Sequence, residues 1–399
     1  MELIKDISKT DNRKTWFLLI GVILIGANLR APLTSVGSLI SFIRDDLGIS
    51  NAVAGTITTL PLLAFACLSP FASKIANRLG IERTIFYSLI FLTFGIIVRS
   101  LPGVGSLFAG TLLIGLAIAI GNVLLPGFIK MNFPLRIGLM TGIYAVSMNV
   151  FGALAAGLSV PLSSINKFGW QGALGIWGVL ALVALIIWVP QILNGQNRPS
   201  QQVTPSKTST AIWRSPLAWK ITIFMGMQSL IFYTLITWLP DILRINGYSS
   251  SAAGWMLFLM QFSIIPVTFI VPILAGKMKN QKIVSVVTAL LFIVGFGGLL
   301  YGNSPFIPLW VIIIGFACGS AFSLSMMFFT LRTTNFRQAA ELSGMAQSFG
   351  YFLAAAGPVL FGGLHDLTTS WTVPLIMLLV FSVILLFVGV EAGKDRVIE

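Results

Sequence analysis

One arginine lies in the middle of a stretch that is otherwise long and uncharged. Arg30 stands 16 residues after Lys14 and 14 residues before Arg44, with no other charged residue between them. At about 1.5 Å of rise per helical residue, roughly 20 Å of helix separates Arg30 from either charge. An ionisable side chain at membrane depth costs at least about 2.5 kcal/mol and usually faces a cavity or a pathway. The sequence therefore predicts that Arg30 contacts a solute.

Small and polar residues accompany Arg30 along the same segment. Gly26, Thr34 and Gly37 lie four or seven residues from it, on one face of a helix. The proline at position 32 removes the helical partner of the Asn28 carbonyl, which leaves a polar group near the buried charge. The alternative is a structural arginine that joins neighbouring helices through carbonyl and amide groups.

Later apolar segments carry uncharged polar side chains. Ser229, Tyr233 and Thr237 follow one another at four-residue spacing, which places them on one helix face. Such side chains also join helices in bilayers, through hydrogen bonds worth about 0.6 to 2 kcal/mol. We predict a cavity lined by Arg30, Asn28, Thr34, Asn122, Tyr144, Gln228, Ser229, Tyr233, Gln261, Gln347, Ser348 and Tyr351. Asn149 is a further isolated polar residue near the middle of a segment.

The elements that position these residues are membrane-spanning helices. The 399 residues are 56% hydrophobic and 9% charged, with a mean hydropathy of +0.93, which excludes an ordinary soluble domain. Uncharged stretches of spanning length predict an all-α membrane protein with twelve helices. They run from about 16 to 37, 52 to 73, 84 to 101, 106 to 128, 137 to 160, 170 to 190, 218 to 240, 252 to 275, 283 to 301, 307 to 330, 339 to 362 and 371 to 390.

Basic residues predict the orientation of these spans. Twenty of the 25 lysines and arginines fall at the two termini or in the loops that share their side of the membrane. By the positive-inside rule both termini are cytoplasmic. Basic residues on the cytoplasmic side, next to anionic lipid, account for the pI of 10.1. We therefore predict a membrane lipid partner and no nucleic acid.

Several kinds of chemistry are missing from the predicted spans. All 12 acidic residues fall at helix ends, in loops or in tails, which weakens a proton-driven or cation-transporting mechanism. The single histidine, His365, is predicted to lie in an outer loop beside Asp366. No nucleophile with a base, no metal-ligand spacing and no phosphate-binding loop is present. We therefore expect neither an enzyme nor a cofactor.

The chain divides into two related halves. The polar segment Gln191 to Ser215 has linker composition, and we predict a six-helix bundle at 1–190, a cytoplasmic linker at 191–216 and a second bundle at 217–399. At an offset of about 200 residues, Gly48 matches Gly247 and Ser50 matches Ser249, while Ser229 corresponds to Arg30. Two parallel repeats of six helices form the plan of major facilitator transporters, with the substrate between the halves.

The loop after the second span resembles the major facilitator loop signature. SKIANRLGIER, residues 73 to 83, matches it at Arg78, Gly80 and Arg83, which the resemblance assigns to a gating loop. It departs at Ser73 and Asn77, where the signature has glycine and aspartate. The missing carboxylate removes one partner of the usual charge relay.

Four segments resemble the cyanate permease and 2-nitroimidazole transporter family of the major facilitator superfamily. They are GANLRAPLTSVG (26–37), GNVLLPGFIKMNFP (121–134), MQSLIFYTLITWLP (227–240) and ELSGMAQSFGYFLAAAGP (341–358). The resemblance implies a transporter for a small-molecule solute in the bacterial cytoplasmic membrane. A monomer is the superfamily default.

We expect a secondary active transporter that moves a small anionic or polar solute by alternating access, with Arg30 as the complementary charge. The first alternative is efflux of small neutral heteroaromatic compounds, with Tyr144, Tyr233 and Tyr351 as stacking surfaces. The second is a membrane receptor without transport.

Overall fold

The computed structural model describes residues 9–133, 137–165, 168–195, 210–301, 305–334 and 336–398. Within these ranges the regular structure is entirely helical. The helices are α1 (Lys9–Leu47), α2 (Asn51–Leu79), α3 (Ile81–Arg99), α4 (Val104–Asn132), α5 (Ile137–Ser163), α6 (Gly169–Gly175), α7 (Trp177–Gly195), α8 (Thr210–Arg214), α9 (Pro216–Ile245), α10 (Ser250–Lys277), α11 (Lys282–Leu300), α12 (Ile307–Leu331), α13 (Phe336–Thr368) and α14 (Thr372–Ala392).

The predicted all-α membrane fold is confirmed. Eleven of the described helical segments are long and apolar enough to cross a bilayer, with α6 and α7 together forming one of them, Gly169–Ile192. The remaining predicted span, 339 to 362, corresponds to α13, which has 33 residues but carries polar side chains along its length. Helices suit this environment because they pair every internal backbone donor and acceptor within the segment.

Repeat-matched residues adopt the same local structure in the two halves. Gly48 and Gly247 both have positive φ, of 63° and 88°. Two residues later, Ser50 and Ser249 each cap a helix by accepting a hydrogen bond from the main-chain nitrogen three residues on, at 3.2 Å. The chain therefore turns into α2 and α10 in the same way, as expected of a duplicated unit.

Two pairs of helices join the two halves, and the internal repeat makes one pair the counterpart of the other. α2 packs on α13, and α5 packs on α10. Glycines permit the close approach, since a Cβ on Gly55 would lie 2.5 Å from the Pro358 oxygen and one on Gly157 would lie 3.0 Å from Trp255. The predicted linker contains residues 196–209, which lie outside the described ranges, so the domain boundary stays a prediction.

The loop signature forms a tight connection between two helices. Gly80 separates α2 from α3 and adopts φ 88° and ψ 147°, a conformation essentially restricted to glycine. Arg78 and Arg83 are exposed on either side of it. The side chains of Ser73 and Asn77 lie outside those that the structure describes, and the gating role stays a prediction.

One titratable residue lies elsewhere than predicted, and one charged residue is more buried than its position suggests. His365, beside Asp366, belongs to the last turns of α13 and not to a loop. Arg99, near the end of the predicted span 84 to 101, is the last residue of α3 and is only 1% exposed. Composition alone does not show that a charged side chain near the end of a span turns into the protein.

Candidate solute-binding site

Arg30 of α1 contacts α5 of its own half and α9 of the other half. Its guanidinium carbon is 4.4 Å from the ring centre of Phe232 on α9, a cation–π contact. Its Nη2 donates to the Asn149 side-chain oxygen on α5 at 3.4 Å. The Nε group is buried and has no hydrogen-bond partner. The Arg30 guanidinium thus lies where the two halves meet, and its Nε donor has no hydrogen-bond partner.

A glycine on α5 brings the neighbouring polar groups close to Arg30. A Cβ on Gly152 would lie 2.5 Å from the Arg30 Cγ. The Gly152 carbonyl accepts hydrogen bonds from the Thr34 hydroxyl at 2.8 Å and from the Gln261 amide at 3.0 Å. The Gln261 side-chain oxygen remains buried without a partner. The site therefore offers an unpaired acceptor as well as an unpaired donor.

Aromatic rings form the second side of the site. Tyr233 packs edge-on against Phe232 at 5.3 Å between ring centres and against Tyr351 at 6.4 Å. Tyr351 in turn packs on Phe65 of α2 at 5.5 Å. The Tyr233 and Tyr351 hydroxyls lie within electrostatic range of Arg30, and that of Tyr351 also lies within range of Tyr144. The charge is thus bordered by ring faces and phenol hydroxyls.

Among the side chains that the structure describes, no carboxylate forms an ion pair with Arg30. In the same part of the chain, no group of three histidine, cysteine, aspartate or glutamate residues is arranged to hold a metal ion. The site has the chemistry to bind a negatively charged or strongly polar molecule without a metal.

The predicted site residues divide into two groups. The structure brings Thr34, Tyr233, Gln261 and Tyr351 together around Arg30, and Tyr144 lies within electrostatic range of Tyr351. The remaining members make contacts of their own, and no described contact joins them to Arg30.

Asn28 makes its described contacts away from Arg30, and its part in solute binding stays a prediction. Its side-chain amide donates to the Leu24 carbonyl at 2.8 Å and to the Leu180 carbonyl of α7 at 3.2 Å, and the residue is fully buried. Residues two apart on a helix point about 200° apart, because each residue turns the helix by about 100°. Asn28 therefore faces α7 within its own half, where it joins two helices.

The polar stripe on α9 and the group on α13 are mostly satisfied locally. Gln228 donates to the Ser229 hydroxyl at 2.7 Å and to the Met225 sulfur at 3.2 Å. Gln347 donates to the Ser343 hydroxyl at 2.9 Å. Ser348 and Asn122 are half-buried. Their part in solute binding stays a prediction.

Sequence reasoning missed the aromatic and amide partners of the arginine. Phe232, Phe65 and Gly152 were not singled out, and Asn149 was noted only as an isolated polar residue. Phenylalanine in a membrane helix gives no signal of its own, because 30 phenylalanines occur in the chain. Only the packing of the helices shows which of these phenylalanines lie at the site.

Sequence reasoning also missed a polar network at the helix ends predicted to face outward. Arg44 of α1 pairs with Asp241 of α9 at 3.1 Å and donates to the Asn51 side-chain oxygen at 2.7 Å. The Asn51 amide donates to Asp366 of α13 at 2.6 Å and lies 3.2 Å from the His365 ring nitrogen. This outer network joins the two halves, so they are closed together at this end.

Comparison with known proteins agrees with this architecture. Residues 18–358 match the model of the Major Facilitator Superfamily. Over the whole chain, the fold is similar to that of the nucleoside transporter NupG, with a TM-score of 0.77 and 16% identity, covering 94% of this chain and 100% of that one.

Three curated relatives are similar over nearly the full length. The uncharacterized transporter YycB of Bacillus subtilis is 47% identical over 96% of this chain and 95% of its own. The 2-nitroimidazole transporter of Escherichia coli is 41% identical over 96% of both chains. The cyanate transport protein CynX of Escherichia coli is 28% identical over 89% of this chain and 91% of its own. The chain therefore belongs to the Major Facilitator Superfamily and, within it, to the family of the cyanate and 2-nitroimidazole transporters.

Proposed function

We propose that this transporter carries a small planar anion, bound at Arg30, across the bacterial cytoplasmic membrane. The observation that carries the proposal is a cation between the two halves that has no carboxylate partner among the described side chains. An unpaired buried charge is costly, and a bound anion removes much of that cost. Alternating access then follows from the family's architecture, in which the halves move about a central site.

The guanidinium favours planar anions over other solutes. Its donors form a rigid fork that matches the two oxygens of a carboxylate or a similar oxyanion. Arg30 retains an unpaired Nε donor, and its carbon lies over the Phe232 ring, so the flat guanidinium is held in one orientation. The rings of Tyr233 and Tyr351 add flat apolar surface beside it.

The substrates named for the relatives fit this combination of charge and ring surface. Cyanate is a small anion, and 2-nitroimidazole is a small planar ring bearing an oxygen-rich nitro group. Both names belong to other proteins, and together they support a small, flat solute with hydrogen-bond acceptors for this one.

A neutral heteroaromatic solute is the second candidate. The observation in its favour is the chain of aromatic contacts from Phe232 through Tyr233 and Tyr351 to Phe65. In that case Arg30 acts as a hydrogen-bond donor and not as a counter-ion.

Benzoate and benzamide separate the two candidates, because they have nearly the same shape and differ in charge. We expect benzoate to raise the thermal unfolding midpoint of the purified protein, since a ligand that binds only the folded state stabilises it. Benzamide at the same concentration should have little effect. An equal shift with both compounds would favour the neutral solute.

The orientation and assembly are part of the proposal. We propose that both termini are cytoplasmic, that the protein acts as a monomer surrounded by membrane lipid, and that it binds no nucleic acid. The basic residues of the termini and inner loops support this orientation.

A reporter active only in the cytoplasm tests the topology. Fused within the 191–215 segment it should be active, and fused near Ser304 it should be silent. Activity at both positions would rule out an odd number of spans between them and with it the twelve-span topology.

A further inference from the structure

A second arginine is buried more deeply than Arg30. Arg99 ends α3, and its side chain is fully enclosed although Leu101, two residues later, is 50% exposed. An arginine this close to a helix end normally extends its guanidinium toward water. Arg99 does the opposite and points into the protein, where desolvation of a charge costs several kcal/mol. That orientation requires a compensating partner.

The partners within the protein are too few. Arg99 Nη1 donates to the Pro32 carbonyl at 2.7 Å, whereas Nε and Nη2 are buried without a hydrogen bond. Among the described side chains, no carboxylate pairs with it. A guanidinium has five donors and keeps its proton in proteins, so two of its three nitrogens are left unpaired at full charge.

Arg99 also borders a small enclosed cavity. Arg99, Thr58, Thr111 and Tyr233 supply its polar lining, and apolar residues of α1, α2 and α9 complete it. The cavity has room for about one water molecule. Its walls come from both halves of the chain, as do those of the Arg30 site.

Tyr233 connects this cavity to the Arg30 site. The same side chain borders the cavity and lies within electrostatic range of Arg30. On α1, the carbonyl that Arg99 binds belongs to Pro32, two residues after Arg30. The two arginines are therefore linked by one short stretch of α1 and by one tyrosine that lies near both.

We propose that Arg99 forms a second anion subsite, which takes a compact monovalent anion and lies beyond Arg30 toward the predicted outer face. The inference extends the proposed function, because it assumes that anions pass through this region. The cavity is too small for an aromatic ring, so its ligand is the size of a halide or of one end of a linear anion.

Bromide is a suitable probe because it is compact and gives an anomalous X-ray signal. We expect crystals grown in sodium bromide to show an anomalous peak beside Nε and Nη2 of Arg99. In solution, sodium bromide should raise the unfolding midpoint by about 2 °C or more relative to sodium gluconate at equal ionic strength.

Substitutions show which arginine causes the rise of the unfolding midpoint in bromide. Arg99→Gln keeps a donor for the Pro32 carbonyl and removes the charge, so it should fold and lose the bromide shift. Arg30→Gln should keep the part of the shift that arises at Arg99, which separates this proposal from that for the Arg30 site. Arg214→Gln, at an exposed position on α8, controls for the general effect of bromide on a basic protein.

Two results would overturn the proposal. One is a bromide shift of the same size in Arg99→Gln as in the unchanged protein. The other is an anomalous map without a peak at Arg99, and this result decides the question even if Arg99→Gln does not fold.

Discussion

Arg30→Ala is expected to weaken the binding of benzoate by about 100-fold while leaving the protein folded. Truncating one partner of a desolvated charge pair costs about 2 to 5 kcal/mol, which corresponds to a loss of affinity between about 30-fold and about 4,000-fold. Folding should survive, because an arginine without a counter-ion destabilises the empty protein. Isothermal titration with benzoate measures the affinity, and the unfolding midpoint measures the stability.

Two further variants separate charge from geometry. Arg30→Lys should recover part of the affinity, since an ammonium keeps the charge and loses the planar fork. Arg214→Ala removes an exposed arginine on α8 and should bind benzoate normally. If Arg30→Ala binds benzoate with unchanged affinity, or fails to fold, the residue is structural and the anion proposal loses its basis.

Gly37→Val is expected to prevent the two halves from closing at the predicted outer end. A Cβ at Gly37 of α1 would lie 1.8 Å from the Ile236 carbonyl oxygen of α9. No rotamer relieves this overlap, because the Cβ is fixed to the backbone. About 5.5 kcal/mol is enough to change a two-state ratio from 99:1 to 1:99. The overlap is with backbone, so only a movement of α1 away from α9 relieves it. We expect transport to fall by more than tenfold.

Spin labels at Val53 and Leu367 report the separation of the outer ends. These residues lie on α2 and α13 and are 39% and 84% exposed, and the native Cys67 and Cys318 are first replaced by alanine. The distance between the labels should lengthen in Gly37→Val. The matched control is Gly127→Val on α4, where a new Cβ meets nothing within 4 Å. An unchanged distance in a folded Gly37→Val protein would contradict this account of closure.

Much of the fold follows from the sequence because a bilayer restricts a chain to few structures. Uncharged stretches of spanning length led to the helices, and the matches of Gly48 with Gly247 and of Ser50 with Ser249 led to the repeat. Both pairs have equivalent geometry in the structure. Local requirements for positive φ and for helix capping survive in sequence even after the halves have diverged.

The site was predictable only in part, because composition does not determine how each helix is rotated about its own axis. Arg30 was identifiable, since a lone charge in an apolar segment requires a reason. Asn28, two residues away, was assigned to the same cavity but faces α7. The partners of Arg30 on α5 and α9 depend on how helices distant in sequence pack, and spacing within one helix carries no such information.

Charged residues near helix ends were the main source of error. Arg99, Arg44 and Asp241 were all treated as residues of loops or helix ends, where charge meets water. In the structure Arg99 and Asp241 are 1% and 6% exposed. Each bonds to a neighbouring helix, and the pairing of Arg44 with Asp241 joins the two halves. Only 9% of the chain is charged, so each such residue merits a search for a partner.

Counterflow in proteoliposomes tests the central claim most directly. Vesicles containing the purified protein are loaded with unlabelled benzoate or benzamide, and uptake of labelled benzoate is followed. The account predicts that internal benzoate accelerates uptake, that benzamide does not, and that vesicles with Arg30→Gln show no acceleration. Equal acceleration by benzamide, or full acceleration with Arg30→Gln, would contradict a transporter that recognises its solute through the charge of Arg30.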